Sequence, residues 1–235
     1  MKISVIIPTL NEEKNIKKII DCLQKQSLKP KEIIVVDGGS KDKTREIAKK
    51  AFVKVYKTKK GIGWQRNFGG MRAKGDLLVF LDADVAPKSD FLKKIKNSFV
   101  QHKLDLACPL FHPEKSRLDI IMVYWFFNAI FFLLQKVLPS GAGMCIAVKS
   151  NIFKRAGGFD DKLVHDDIHF IRKASKIAKF GIIRAVLEVS DRRFRKEGTV
   201  KMFIIYLILS IFFVFGAFKL ANKLQYKFAH YEDKN

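Results

Sequence analysis

The sequence predicts an α/β fold: an open, mostly parallel sheet with helices on both faces, followed by an apolar helix near the C-terminus. Three observations predict it. Short apolar runs alternate with amphipathic stretches in a β-α-β-α-β order through the first hundred residues. The clusters of Asp, Asn, Gly and Ser fall where the apolar runs end, which is where open α/β sheets bind ligands. After residue 100 the rhythm changes, and two long apolar segments appear at 120–134 and 202–218.

Residues 2–7 form an apolar run that Pro8 stops, too brief for the core of a signal peptide, so it reads as a buried strand. Asn11 reads as a helix N-cap, with Glu12 and Glu13 in the first turn. Ile16, Ile19, Ile20 and Leu23 recur at helical spacing. Residues 33–36 are a second buried strand. A helix, a strand at 52–56, a helix at about 64–73 and a strand at 77–81 follow. Further on, 141–148 reads as a strand and 166–179 as a helix.

The chain has 235 residues, 48% of them hydrophobic, enough for a sizeable core and too many for global disorder. It carries 45 Lys plus Arg against 23 Asp plus Glu, a formal charge of +22, which implies a polyanionic partner: nucleic acid, an anionic membrane face or a phosphorylated substrate. Cys22, Cys108 and Cys145 lie far apart, which excludes a disulfide framework and a cysteine zinc site of usual spacing.

Four constellations carry chemistry. Pro8-Thr9-Leu10-Asn11-Glu12-Glu13 ends the first strand. Asp37-Gly38-Gly39-Ser40 ends the second, where glycine lets the backbone approach a ligand and a carboxylate can accept from a base N–H or a ribose hydroxyl. Taken alone, the same residues also make a plain turn. Asp82-Ala83-Asp84 follows the apolar strand at 77–81; two carboxylates one residue apart at a strand end suit Mg²⁺ or Mn²⁺, which complete their shell with diphosphate oxygens and water. His165-Asp166-Asp167-Ile168-His169 opens a helix, where a carboxylate is either a general base or a complement to the helix dipole.

This ordered set resembles the family-2 glycosyltransferases of GT-A fold. The matching stretches are SVIIPTLNEE (4–13), IIVVDGGSKDKT (33–44), GWQRNFGG (63–70), DLLVFLDAD (76–84), GAGMCIAVKSNIFKRAGGFD (141–160) and HDDIHFIRK (165–173). The resemblance implies a nucleotide-sugar donor, a divalent cation (Mg²⁺ or Mn²⁺) and inversion at the anomeric carbon. It implies that Pro8, Thr9, Glu12, Asp37 and Gly39 line the nucleotide pocket, with Asp37 against the base. Arg66 would approach the diphosphate, Asp82 would face the ribose or metal, Ala83 would line the donor site, and Asp84 would hold the metal. Asp167, the second carboxylate of its pair, would be the base, with Asp166 supporting it. The stretch 190–198 resembles a basic segment of some subgroups, which would bring Arg192 and Arg193 to the diphosphate or to a phosphorylated acceptor. His169 stands where the family writes an acid, a departure that touches the acceptor pocket.

The expected organisation is a catalytic domain over 1–199, with a nucleotide-binding half at 1–100 and an acceptor half at 101–199. An apolar membrane helix at 200–219 and a polar tail at 220–235 would follow. The segment 202–218 is at the short end of the spanning range. The stretch 172–201 before it carries ten Lys or Arg against three acids, so the positive-inside rule puts the catalytic part in the cytoplasm. A crossing at 120–134 would separate Asp167 from Asp82, so that segment is read as interfacial, packed on the C-terminal segment, or at a contact within a homo-oligomer. Two such segments beside a basic surface fit a lipid-linked or polyprenyl-phosphate acceptor. Two other classes fit less well. A GT-A-like nucleotidyltransferase would carry a Gly-rich phosphate loop, which PTLNEEKN lacks. A nucleic-acid-binding module is disfavoured because the charge accompanies membrane-type apolar segments and no nucleic-acid motif appears.

Overall fold

A computed structural model describes residues 1–114, 116–163, 165–217 and 221. Apart from residue 221, the expected polar tail and the last residues of the expected membrane helix lie outside the described residues. In chain order the elements are β1 (Ile3–Thr9), α1 (Ile16–Gln24), β2 (Glu32–Asp37), α2 (Thr44–Lys50), β3 (Lys54–Lys57), α3 (Ile62–Arg72), β4 (Leu77–Leu81), β5 (Val85–Pro87) and α4 (Phe91–Gln101). They continue as β6 (Leu106–Pro113), α5 (Leu118–Leu134), β7 (Cys145–Lys149), α6 (Ser150–Arg155), α7 (Asp166–Ser175), β8 (Phe180–Val189), α8 (Arg192–Glu197) and α9 (Thr199–Val214).

One sheet holds all eight strands in the order β3-β2-β1-β4-β7-β6-β8-β5. The β-α-β-α-β part forms the parallel half, β3-β2-β1-β4, as the alternation predicts. Past β4 the sheet is mixed: β7 runs antiparallel to both β4 and β6, β8 is parallel to β6, and β5 is antiparallel to β8. This second half decides the site. Pairing of Leu81 with Cys145 brings residues 143–144 beside the end of β4, where Asp82 N donates to Met144 O at 3.1 Å. Pairing of Val85 with Val189 brings the basic segment after β8 over the 82–84 turn.

Two apolar layers cover the sheet. One packs Ile16, Ile19, Ile20 and Leu23 of α1 and Phe91 and Ile95 of α4 on one face. The other packs Ile152 and Phe153 of α6 and Phe170, Ile171 and Ala174 of α7 on the opposite face. Helix α3 lies flush on this second face because it has no side chain there. A Cβ on Gly69 would sit 2.5 Å from Ile6 Cγ2 and 3.0 Å from Val36 Cγ2.

Three expectations are corrected. Pro8 does not stop β1, which runs on to Thr9. Its missing N–H is tolerated because pairing with β4 has ended at Ile6. Asn11 is not an N-cap: it adopts φ 55° in the turn before α1, which begins only at Ile16, so Glu12 and Glu13 precede the helix. Its side chain instead accepts from Lys41 N at 2.9 Å, tying the β1 and β2 turns together. Last, the crossing expected at 202–218 is not found among the described residues. Helix α9 has 16 residues, about 24 Å at the α-helical rise and short of the ~30 Å hydrocarbon core. Among the described residues no helix is long and apolar enough to cross a membrane. The orientation inferred from a crossing loses its basis with it.

Candidate active site

The site begins with α3, which aims Gln65 and Arg66 at the carboxyl ends of β1, β2 and β4. Gln65 is buried and donates from Nε2 to Thr9 O (2.8 Å) and Val36 O (2.7 Å), pinning the two strand ends at a fixed separation. Gly38 presses against this amide, a Cβ there meeting Gln65 Oε1 at 3.0 Å. Arg66 is 2% exposed. Its Nη1 donates to Asp166 Oδ1 at 2.9 Å, and its Nη2 donates to Asp82 Oδ1 at 3.1 Å and to Gly143 O at 3.0 Å. One guanidinium therefore joins the ends of β4, the segment before β7 and the start of α7.

Carboxylates outnumber that guanidinium. Burial pushes the Asp82 carboxyl up to about 6; Arg66 pulls it back, while Asp84 and Asp167 push it further. Burial likewise raises Asp166, opposed by Arg66 and reinforced by Asp167. The Asp166 Oδ2 atom is buried without a hydrogen-bond partner. Asp167 is only partly buried, and its carboxyl packs directly against Gly143, where no other residue would leave it room. Asp84 is exposed, and Ala83 is turned into the core. Among the described residues no three His, Cys, Asp or Glu side chains form a self-sufficient metal cage. Asp82 and Asp84 nonetheless fit a divalent cation: burial and neighbouring acids oppose the charge on Asp82, which a cation would relieve, with the rest of the shell left to a diphosphate and water.

The predicted residues fall into two groups. Arg66, Asp82, Asp84, Asp166, Asp167, Arg192 and Arg193 border one cavity of about 450 Å³. Pro8, Thr9, Glu12, Asp37 and Gly39 do not line it; they sit at or just past the ends of β1 and β2. Within this second group Glu12 faces the cavity residues. Burial raises its carboxyl, with Asn15 and Arg192 lowering it and Asp84 raising it. Asp37 is spent on its own turn: Oδ1 accepts from Gly39 N and Ser40 N at 3.0 Å each, and Oδ2 accepts from Ser40 Oγ. Arg45 Nε sits 3.4 Å from Oδ1, and the Asp37 side chain is fully buried. Asp37 thus shapes the turn, with Gly39 at φ 98°.

Sequence reasoning missed Gln65 and Gly143, whose roles depend on strand pairing; position inside GWQRNFGG and GAGMCIAVKS was the only signal. It also missed Asn67, which accepts from Phe159 N and donates to Phe159 O, both at 2.8 Å, holding the loop before α7 against α3. The far wall of the cavity is apolar, built by α5 and α9 from Val123, Phe127, Phe131, Leu209 and Phe213. Tyr124, Phe194 and Tyr206 close the junction between that wall and the basic segment.

An α/β fold with carboxylates at the strand ends and a guanidinium binding them is the arrangement that the resemblance to nucleotide-sugar transferases implies. The chain matches Glycosyl transferase family 2 over residues 4–156, and it belongs to that family. It is 30% identical over 188 residues to an uncharacterized glycosyltransferase of Rickettsia typhi, covering 70% of this chain and 56% of the relative. It is 32% identical over 117 residues to the cholesterol galactosyltransferase of Borreliella burgdorferi, covering 47% of this chain and 33% of the relative. The chain thus spans about a third to somewhat over half the length of these relatives. Among solved structures, S. aureus TarS (residues 1–349) superimposes with a TM-score of 0.67 at 23% identity, covering 90% of this chain and 66% of that one. Mannosyltransferase PcManGT of Pyrobaculum calidifontis, in complex with GDP-Man and Mn²⁺, gives 0.67 at 21% identity, covering 88% and 64%. The fold is GT-A.

Proposed function

We propose that this chain is an inverting glycosyltransferase that moves a sugar from a nucleotide-diphosphate donor to a lipid-linked or polyprenyl-phosphate acceptor. One observation carries the reading: the carboxylate-guanidinium cluster and the apolar wall of α5 and α9 border the same cavity. A donor held by charge and an acceptor held by hydrocarbon would meet there. Two relatives support it by name, the cholesterol galactosyltransferase and the 4,4'-diaponeurosporenoate glycosyltransferase of Staphylococcus haemolyticus. In this reading residues 1–100 hold the donor and 101–199 present the acceptor side.

Asp167 is the base. Of the paired acids it is the one Arg66 does not hold, and its carboxyl borders the cavity. It takes the proton of an attacking hydroxyl at its carboxylate while the sugar C1 bond to the diphosphate breaks. A phosphate acceptor, already ionised, would need only its orienting effect. Arg66 is a positioning residue, since both Nη atoms are engaged by Asp166, Asp82 and Gly143. Arg192 and Arg193, exposed on α8 at the cavity edge, meet the charge that builds on the leaving diphosphate. Mg²⁺ or Mn²⁺ held by Asp82 and Asp84 would supply Lewis-acid stabilisation of that same charge.

Thermal unfolding with UDP-, GDP- and dTDP-sugars plus Mn²⁺, followed by label transfer to lipid acceptors in detergent, tests the proposal. A donor at a hundred times its dissociation constant adds about 2.7 kcal/mol. The proposal fails if no donor stabilises the chain and no sugar reaches any lipid.

A further inference from the structure

We propose that α5 and α9 dock side by side into the surface of an anionic bilayer, lying in its plane without crossing it. The proposal rests on the lipid-acceptor reading for its purpose, but the exposed apolar residues it uses do not line the cavity. A helix on the surface of a water-soluble domain turns its polar side out, as α1 does by exposing Lys17, Lys18 and Gln24 and burying Ile16, Ile19, Ile20 and Leu23. These two helices do the reverse. On α5 the exposed positions follow one helical face, and Leu118, Met122, Trp125, Phe126 and Leu133 are 42–76% exposed. On α9 the same spacing exposes Val200, Ile204, Leu207, Ile208 and Ile211, at 39–73%. Lys201 is the one charge within that α9 stripe.

The two helices pack against each other through Phe126 and Phe127 on one and Phe203 on the other, with ring centroids 5.4 and 6.0 Å apart. The two stripes therefore adjoin into a single apolar surface, well beyond the scattered hydrophobes ordinary on a soluble domain. Charge selects the occupant. Arg117 precedes α5, and Arg192, Arg193, Arg195 and Lys196 precede α9, all exposed and set where the apolar surface begins. An apolar helix face edged by cations matches acyl chains edged by anionic headgroups. A second copy of this chain would bring the same +22 charge to the contact. The opposite sides of the same helices wall the cavity, so docking would set the cavity against the layer in which a lipid acceptor resides.

The test is flotation of the full chain with phosphatidylcholine vesicles, with and without phosphatidylglycerol, at low and high salt. The expected result is flotation that strengthens with phosphatidylglycerol and weakens with salt. Leu133→Asp and Ile211→Asp, exposed positions outside the cavity wall, should each lower the partition coefficient about tenfold or more. As a check free of those variants, Trp64→Phe leaves Trp125 as the only tryptophan, and bromine-labelled lipid should quench it. No flotation on phosphatidylglycerol vesicles, or no quenching, overturns the proposal. So does a dimer in solution that both Asp variants dissolve while the chain stays off vesicles. Donor binding and transfer are read on the same preparation. Flotation without any transfer overturns the acceptor reading alone, and transfer to lipid in detergent without flotation overturns the docking alone.

Discussion

Arg66 and Asp166 form an ion pair at 2.9 Å with side chains 3% and 2% exposed, although they are 100 residues apart in the chain. The pair locks the start of α7 to the start of α3. Breaking a buried pair from one side leaves an uncompensated charge, so Arg66→Ala should lower unfolding free energy by about 3–5 kcal/mol. Arg66→Lys should recover only part, because an ammonium cannot serve Asp166, Asp82 and Gly143 O with the planar fork. Urea denaturation of both variants measures this. Wild-type stability in Arg66→Ala would mean the pair holds nothing together.

The division of labour between the two acids follows from the same pair. Asp167→Asn should bind donor normally and lose about 10²–10⁴-fold in single-turnover transfer. Asp166→Asn should lose less in transfer but lower thermal stability, because a charge-assisted bond to Arg66 becomes a neutral one. Transfer at the wild-type rate by Asp167→Asn, with Asp166→Asn inactive, would move the base to Asp166. Wild-type rates in both would indicate a phosphate acceptor.

Asp84 is exposed, so Asp84→Ala should unfold within about 0.5 kcal/mol of wild type. It should nonetheless lose most transfer activity and the stabilisation that Mn²⁺ adds with a nucleoside diphosphate. Chelator should silence the wild-type chain, and full turnover in excess chelator would remove the cation from the reaction.

Much of the fold was legible because its signals are local. The helical spacing of Ile16, Ile19, Ile20 and Leu23 gave α1, and the apolar runs before Asp37 and Asp82 gave β2 and β4. What failed depended on partners distant in sequence. Asn11 has the composition of an N-cap, but its side chain serves Lys41 across the turn. Gly143 entered the site only through antiparallel pairing of β7 with β4, which no periodicity records. The 202–218 segment shows hydropathy but not length; α9 ends at Val214.

Glu32 offers a check on the frame away from the site. Its side chain is 6% exposed; burial raises the carboxyl, but Lys54, Lys74 N and Ser4 Oγ all donate to it and outweigh burial, so it is held below its ordinary 4.5. A carboxyl lowered on folding contributes stability above its unfolded value and loses it as pH falls through the folded one. Glu32→Gln should therefore unfold more easily than wild type at pH 7, and the difference should shrink as pH falls below about 4.3. A difference that stays constant from neutral to acid would show that charge at Glu32 is irrelevant.

The last turn of α9 is not hung on a linker. Arg172 of α7 donates to the Phe213 carbonyl, and the His165 ring meets the Phe213 ring edge-on with centroids 4.6 Å apart. The helix that begins with Asp166 and Asp167 is thus fastened to the apolar helix beneath the cleft. Whatever surface α9 rests on, Asp166 and Asp167 stand at one fixed height above it. In the proposed reaction that height would act as a ruler: an acceptor would have to offer its reactive oxygen at the matching distance from its own apolar anchor. Acceptors with the same head but a longer or shorter spacer would be sorted by reach before any contact with the sugar was made.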